Sequence, residues 1–253
     1  MGAGALSQPP DAAPRVIGLV TALPVEARGL AGRLEPGASA RLAGNGRLRL
    51  CGIGSGNARA AAMTLTDTGV TALISWGSAG GLDPRLRAGD LILPVAVVSA
   101  AGRRFAVASD WRAQVHALVS RQLEAQAGIL LESPGPVTTP EQKRALFNRT
   151  GAVAVDMESA AVAEIAALRG LPFLAIRAVL DPASRAVPQS ALMAVDGSGR
   201  VRVRALLHGV LRRPLDLAGI AQLLWDLRAA TAALAAAARL AGLRCTPSGI
   251  GLR

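Results

Sequence analysis

The chain contains no tyrosine, three tryptophans, three phenylalanines and a single lysine, Lys143, among 253 residues. So few aromatics leave single-stranded nucleic acid little to stack on, and no nucleic-acid-binding module is recognisable. Nucleic acid is therefore excluded as the partner, despite a formal charge of +11. The two cysteines, Cys51 and Cys245, lie far apart and outside any CxxC pair, which excludes a disulfide scaffold and a thiolate metal site. Two histidines, His116 and His208, fall in stretches that read as helix, and no metal is expected. The sequence does not open on a basic segment followed by a long apolar run, so a secretory signal is not expected. The alanine-rich run Thr231 to Ala238 is too short and too weakly apolar to span a bilayer. These absences point to a cytoplasmic protein.

What is abundant is aliphatic. Hydrophobic residues make up 51% of the chain and aromatics 2%, so any core is built from Ala, Val, Leu and Ile. The length suits one large α/β domain with ample core. The positive charge attracts the protein to anionic surfaces.

The most informative stretch is Gly77-Ser78-Ala79-Gly80-Gly81-Leu82-Asp83-Pro84. Small residues in succession do not fill a core; they let a ligand lie against the backbone. Val70 to Trp76 reads as a buried strand. The pattern thus predicts a small-residue loop at that strand's carboxyl end, where open α/β sheets bind ligands. A second stretch, Val153 to Ala161, runs from a short apolar strand into an alanine-rich helix and sets Asp156 and Glu158 on either side of Met157. A third, Phe173 to Leu180, is another buried strand and ends on Asp181. Three acids at strand ends, beside a loop stripped of side chains, point to a site that holds hydroxyls and moves a proton.

The remaining pattern predicts strands over 15–22, 48–53, 91–98, 128–131, 152–155 and 172–180. It predicts helices from Pro24 onward and over 57–68, 111–126, 140–147 and 157–168. The alternation argues an α/β three-layer sandwich, a mixed central sheet flanked by helices. Residues 1–14, rich in Gly, Ala and Pro, read as a disordered leader, 15–196 as the catalytic domain and 197–253 as a basic, amphipathic helical tail. In that tail the arginines from Arg200 to Arg253 face only Asp216 and Asp226. Leu217, Ile220, Leu224, Leu227 and Leu234 recur there at helical spacing, with Trp225 at the edge of the stripe.

Five pieces resemble the nucleoside phosphorylase and nucleosidase superfamily, on the branch of methylthioadenosine/S-adenosylhomocysteine nucleosidase. They are Gly18 to Glu26, Gly52-Ile53-Gly54, Gly77 to Leu82, Val155-Asp156-Met157-Glu158 and Arg177-Ala178-Val179-Leu180-Asp181. Each is short and weak alone; five in the family's order are specific. The tail, with Arg212-Arg213-Pro214-Leu215 before a long alanine/leucine helix, resembles the narrower hopanoid-associated phosphorylases. The resemblance implies the nucleoside phosphorylase fold, cleavage of the N-glycosidic bond of a purine nucleoside, no cofactor, and a homo-oligomer. The narrower one implies adenosylhopane as substrate, releasing adenine and leaving ribosylhopane or its 1-phosphate.

Such cleavage passes through an oxocarbenium-like state. The resemblance implies Asp181 as the acid that protonates the leaving base, which requires burial to keep its carboxyl protonated. It implies that Glu158 accepts hydrogen bonds from the ribose hydroxyls, with Met157 beneath the sugar. Ser78, Ala79, Gly80, Asp156 and Val137 then surround the base. Glu26 falls where the nucleosidases activate water. Ile53-Gly54-Ser55 forms a nucleophile or phosphate loop, since glycines at a helix N-terminus cradle an anion, with Arg28 or Arg59 to help. Water and phosphate both stand as nucleophiles, phosphate then being a co-substrate. Without the resemblance, Asp181 reads as a helix N-cap, Glu158 as a first-turn acid favoured by the helix dipole, and Glu26 as a solvated helix-face acid.

Three departures from the nucleosidase branch bear on the substrate. Leu180 stands where a serine supports the acid, Asp156 replaces a glutamate, and Gly135-Pro136-Val137-Thr138 lacks the aromatic that stacks on adenine. They fit a different 5′ substituent, such as a lipid. A lipid-linked nucleoside places the protein peripherally on the inner face of the membrane, with the arginine-rich tail on anionic headgroups; otherwise the same leucines pack on the core. Methylthioadenosine/S-adenosylhomocysteine nucleosidase is the alternative enzyme, and a catalytically inactive nucleoside-binding membrane adaptor is the reading from another class.

Overall fold

The computed structural model describes residues 16–42 and 45–243. The leader expected over 1–14, Cys245 and the last arginines of the tail lie outside the described residues.

One long strand, β4 (Ala72–Gly81), is the spine of a mixed 11-stranded sheet. Five of its first six residues are apolar or glycine, and all but Ser78 and Gly80 of the ten are buried. It pairs in parallel with β1 (Ile17–Thr21) and β11 (Phe173–Asp181), and near its carboxyl end antiparallel with β10 (Ala154–Asp156). From β1 the sheet continues to β3 (Arg47–Leu50) and β2 (Ser39–Arg41). From β10 it continues to β9 (Ile129–Glu132), β6 (Ala96–Val98) and β7 (Arg104–Ala106). From β11 it reaches β5 (Leu91–Ile92) and β8 (Ala125–Gln126). Only Leu93-Pro94-Val95 separates β5 from β6, and only Ala127-Gly128 separates β8 from β9. The two branches that leave β4 therefore rejoin through the chain itself.

Helices α1 (Pro24–Ala31), α2 (Ser55–Asp67), α3 (Ser109–Val119), α4 (Pro140–Thr150), α5 (Ser159–Leu168), α6 (Gln189–Ala194), α7 (Val203–Arg212) and α8 (Asp216–Leu240) flank this sheet. In α2 the buried face is Ala58, Ala61, Ala62 and Leu65; α5 lays its own alanine face against it. Such small side chains bring helices close, which is how a core almost free of aromatics fills. The buried half of α8 does the same against α1 and β11 through Ala230, Ala233, Leu234, Ala237 and Ala238.

The α/β alternation is as the sequence pattern predicts, with three differences. β4 does not stop at Trp76: it runs through Gly81, because β10 and β11 pair with its glycines and hold them extended. The small-residue stretch is a strand end, not a loop. The strand expected over 91–98 is two strands, since Pro94 has no N–H to give a ladder. The helix expected over 111–126 ends at Val119, and its last residues form β8 against β5.

The tail divides. Leu234 is core, Ile220 and Leu227 are half-buried, and Leu217, Leu224 and Trp225 are exposed. α7 buries no residue; its Val203, Leu207 and Leu211, spaced four apart on one face, are exposed, as is Leu215. Among the described residues no helix is long and apolar enough to cross a membrane.

Candidate active site

The carboxyl ends of β4, β10 and β11, the start of α1 and the turn after β3 enclose a cavity of about 520 Å3, well within the range of small-molecule sites. Ile53, Val137, Met157, Ser78, Ala79 and Gly80 all line it, as do Glu26, Asp156, Glu158 and Asp181. Residues expected to form one site from six separate segments are thus brought together.

Glu26 reaches the cavity because Pro24 starts α1 at its first turn and places Glu26 third, folded back on the chain that enters the helix. Its Oε2 accepts from Thr21 Oγ1 at 3.0 Å and Leu23 N at 3.1 Å, and its Oε1 from Ser78 N at 2.8 Å and Ser78 Oγ at 2.6 Å. These four donors fill the acceptor positions of a carboxylate. Two of them are hydroxyls, which rotate, so a water becomes a partner of Glu26 when Thr21 or Ser78 turns away. Gly77 is obligatory beside it: a Cβ there would overlap Arg177 Nη1 and lie 2.7 Å from Glu26 Oε2.

Beneath the floor lies Arg177, fully buried on β11. Its Nη2 pairs with Asp156 Oδ2 at 2.7 Å and donates to Ser75 Oγ at 2.7 Å and Ser159 Oγ at 2.9 Å. Asp156 also accepts from Ser159 N and Ser159 Oγ. Its carboxylate is therefore committed inside the protein, and Asp156 meets the cavity without offering that carboxylate to a base. Glu158, which caps α5, accepts from Gly54 N at 2.7 Å and more weakly from Met157 N at 3.3 Å. Burial, first, and the charge of Asp156, second, push its carboxyl up to about 7, against the pull of Arg177 and the Gly54 N–H. Three acids share one buried cation here.

Asp181 is delivered by an irregularity. β11 and β4 run in register to Val179↔Ala79, then skip Leu180 so that Asp181 stands opposite Gly80. Such a bulge re-aims the following side chain. Gly80 leaves the space: a Cβ there would lie 3.3 Å from Asp181 Oδ2. Burial raises the Asp181 carboxyl above the ordinary range even though the Lys143 ammonium, 2.7 Å from Oδ2, lowers it.

The expected phosphate loop is built differently from the expectation. Gly54 N–H is taken by Glu158, so the helix N-terminus already holds an anion. Ser55 opens α2 but is exposed and does not line the cavity. Arg28 is exposed on α1, and Arg59 pairs with Glu164. Cys51, half-buried behind the site, has its thiol pushed up to about 12 by burial and by Glu158 and Glu26, which removes it as a nucleophile. Sequence reasoning gave no role to Arg177 or Lys143. A charged residue inside an apolar strand, and the chain's single lysine, were the available signals. It also missed the apolar wall of Leu23, Ala191, Leu192, Val195 and Leu223.

A 5′-methylthioadenosine/S-adenosylhomocysteine nucleosidase of Marinomonas sp. is 32% identical over 139 residues, 47% of this chain and 59% of that one. One of Thermotoga maritima is 31% identical over 124 residues, 46% of this chain and 56% of that one. The chain thus spans less than two thirds of the length of these curated relatives. The crystal structure of the Neisseria meningitidis nucleosidase in complex with methylthio-immucillin-A superposes with a TM-score of 0.64 at 21% identity, covering 89% of this chain and 97% of that one. Residues 20–212, which carry Glu26, Glu158, Arg177 and Asp181, match the profile described as Phosphorylase superfamily, and the chain belongs to that superfamily.

Proposed function

We propose that the protein hydrolyses the N-glycosidic bond of an adenine nucleoside. The observation that carries this reading is the charge of the cavity wall. Glu26, Asp156, Glu158, Asp181 and Asp196 line it, and no lining residue among those described is Arg, Lys or His. The Asp156 carboxylate is turned to Arg177 and Asp181 carries the proton to be donated, so a phosphate dianion entering there meets the carboxylates of Glu26, Glu158 and Asp196 at close range, whereas a ribosyl cation is stabilised by them. Water is therefore the nucleophile. Ionised Glu158 accepts the ribose hydroxyls, and Met157 supports the sugar's apolar face. Asp181 donates its proton to N7 of the leaving adenine as the C1′–N9 bond breaks. Water adds to C1′ from the opposite face and gives its proton to Glu26. Ser78, Ala79, Gly80 and Val137 shape the slot for the base.

The curated relatives favour 5′-methylthioadenosine or S-adenosylhomocysteine as substrate, and this is the reading the comparisons support best. A second reading, a lipid-linked nucleoside such as adenosylhopane, rests on the apolar wall and the exposed tail. Leu223 of α8 lines the cavity, while Leu217, Leu224 and Trp225 of the same helix and Val203, Leu207 and Leu211 of α7 are exposed among arginines. Basic residues near an anionic membrane contribute about 1 kcal/mol each, and the apolar residues add insertion. Here α7 and the exposed end of α8 rest on the inner leaflet.

One experiment separates these readings: adenine release from 5′-methylthioadenosine and from an adenosine carrying a long apolar 5′ group, with and without phosphate and anionic vesicles. Release without phosphate is expected. Strict phosphate dependence with a 1-phosphate product overturns the hydrolytic reading. Preference for the long apolar group, with vesicle binding that salt weakens, selects the lipid-linked substrate. A dimer in solution that ignores vesicles assigns the exposed stripe to a second copy of the chain. No adenine from either nucleoside selects the inactive adaptor.

A further inference from the structure

Lys143 is the chain's single lysine, and it is wholly buried. Taking an ammonium out of water costs several kcal/mol unless it is paired and its N–H groups are satisfied. The sequence puts it there deliberately. α4 is fixed by a Thr139/Gln142 capping box, by Pro140 at its start and by Gly151 at its left-handed end, φ 64°. That frame points Lys143 into the turn that follows β11. Its Nζ lies 3.0 Å from Asp181 O, 2.9 Å from Pro182 O, 2.9 Å from Arg185 O and 2.7 Å from Asp181 Oδ2.

An ammonium has three N–H donors, and here it faces four acceptors. Three carbonyls satisfy it when Asp181 is protonated and neutral. When Asp181 has given up its proton, one N–H is shared between a carbonyl and the new carboxylate. We propose that Lys143 is a positioning residue for Asp181: it clamps the turn that carries the acid and holds a positive charge against the carboxylate that proton transfer leaves behind. The proposal rests on Asp181 being the acid of the function proposed above. Burial alone would keep the acid protonated and make it a weak donor; the lysine brings it back toward a pKa useful for transfer. Other charges face the same carboxyl less closely. Asp226 on α8 opposes ionisation of Asp181. It is itself held by Gln222 Nε2 at 2.9 Å and by Arg185 at 3.8 Å.

The test is a direct titration of the Asp181 carboxyl by 13C NMR in the folded protein, assigned with Asp181→Asn, for wild type, Lys143→Met and Lys143→Gln. Both variants lose the charge; Lys143→Gln keeps a hydrogen-bond donor for the carbonyls and guards against a misfolded Lys143→Met. Removing an opposite charge at this range moves a carboxyl up by about 1–3 pKa units. That upward shift is expected in both variants, together with a matching upward shift of the alkaline limb of the activity profile. An unchanged Asp181 midpoint in a folded variant overturns the proposal. So does a shift in Lys143→Met that Lys143→Gln abolishes, because the charge would then be irrelevant. Failure of the underlying reading looks different: the NMR shift appears, but Asp181→Asn leaves adenine release intact.

Discussion

Glu158 makes stability and activity depend on pH in opposite ways. Its carboxyl titrates near 4.5 when unperturbed and at about 7 in the folded protein. Between those values the folded chain holds a proton that the unfolded chain has released. Stability from this group is therefore fully present below pH 4.5 and is lost as pH rises through 7. The separation of the two values corresponds to roughly 3 kcal/mol, reached on the alkaline side of the window. The perturbation is Glu158→Gln, which removes the titration and retains an acceptor for Gly54 N–H. Urea unfolding of both proteins at intervals from pH 4.5 to 8 gives the difference directly. Glu132 and Asp181, also raised by burial, and Asp83, Glu141, Asp196 and Asp216, lowered by hydrogen bonds, are common to both proteins and cancel. The wild type should lose stability relative to Glu158→Gln across the window. Over the same window its kcat/KM should rise, because only the ionised carboxylate accepts two ribose hydroxyls. A stability difference that stays flat with pH would refute the account of three acids sharing the Arg177 charge.

Two further changes test the site from other sides. Asp181→Asn should lower adenine release about 10²–10⁴-fold while sparing a riboside whose leaving group needs no protonation; equal loss on both substrates would make Asp181 structural. Gly77→Ala forces a Cβ into Arg177 and Glu26, so it should destabilise by roughly 1–3 kcal/mol and abolish release, and a melting temperature and activity like the wild type would show that the two side chains do not converge on this backbone.

Local sequence sufficed for the alternation of strands and helices, for the aliphatic core and for the order of the segments that bear Glu26, Glu158 and Asp181. Burial periodicity along one element and the helix signals at Pro24 and Pro140 are short-range properties, and the chain writes them directly. Tertiary structure alone decided what those segments do to each other. β4 stays extended through Gly81 because strands far along the chain pair with it. Asp156 turns its carboxylate to Arg177 rather than to the cavity. Leu180 drops out of register and aims Asp181. Ser55 stays outside the cavity although Ile53, two residues before it, lines it. One helix, α8, is core at one end and exposed at the other, which a single leucine periodicity does not distinguish. The reason is distance along the chain: Glu26 and Ser78 are 52 residues apart, and Gly54 and Glu158 are 104 apart. Hydrogen bonds of that span, and the pKa shifts they set, come into being only when the sheet closes around them.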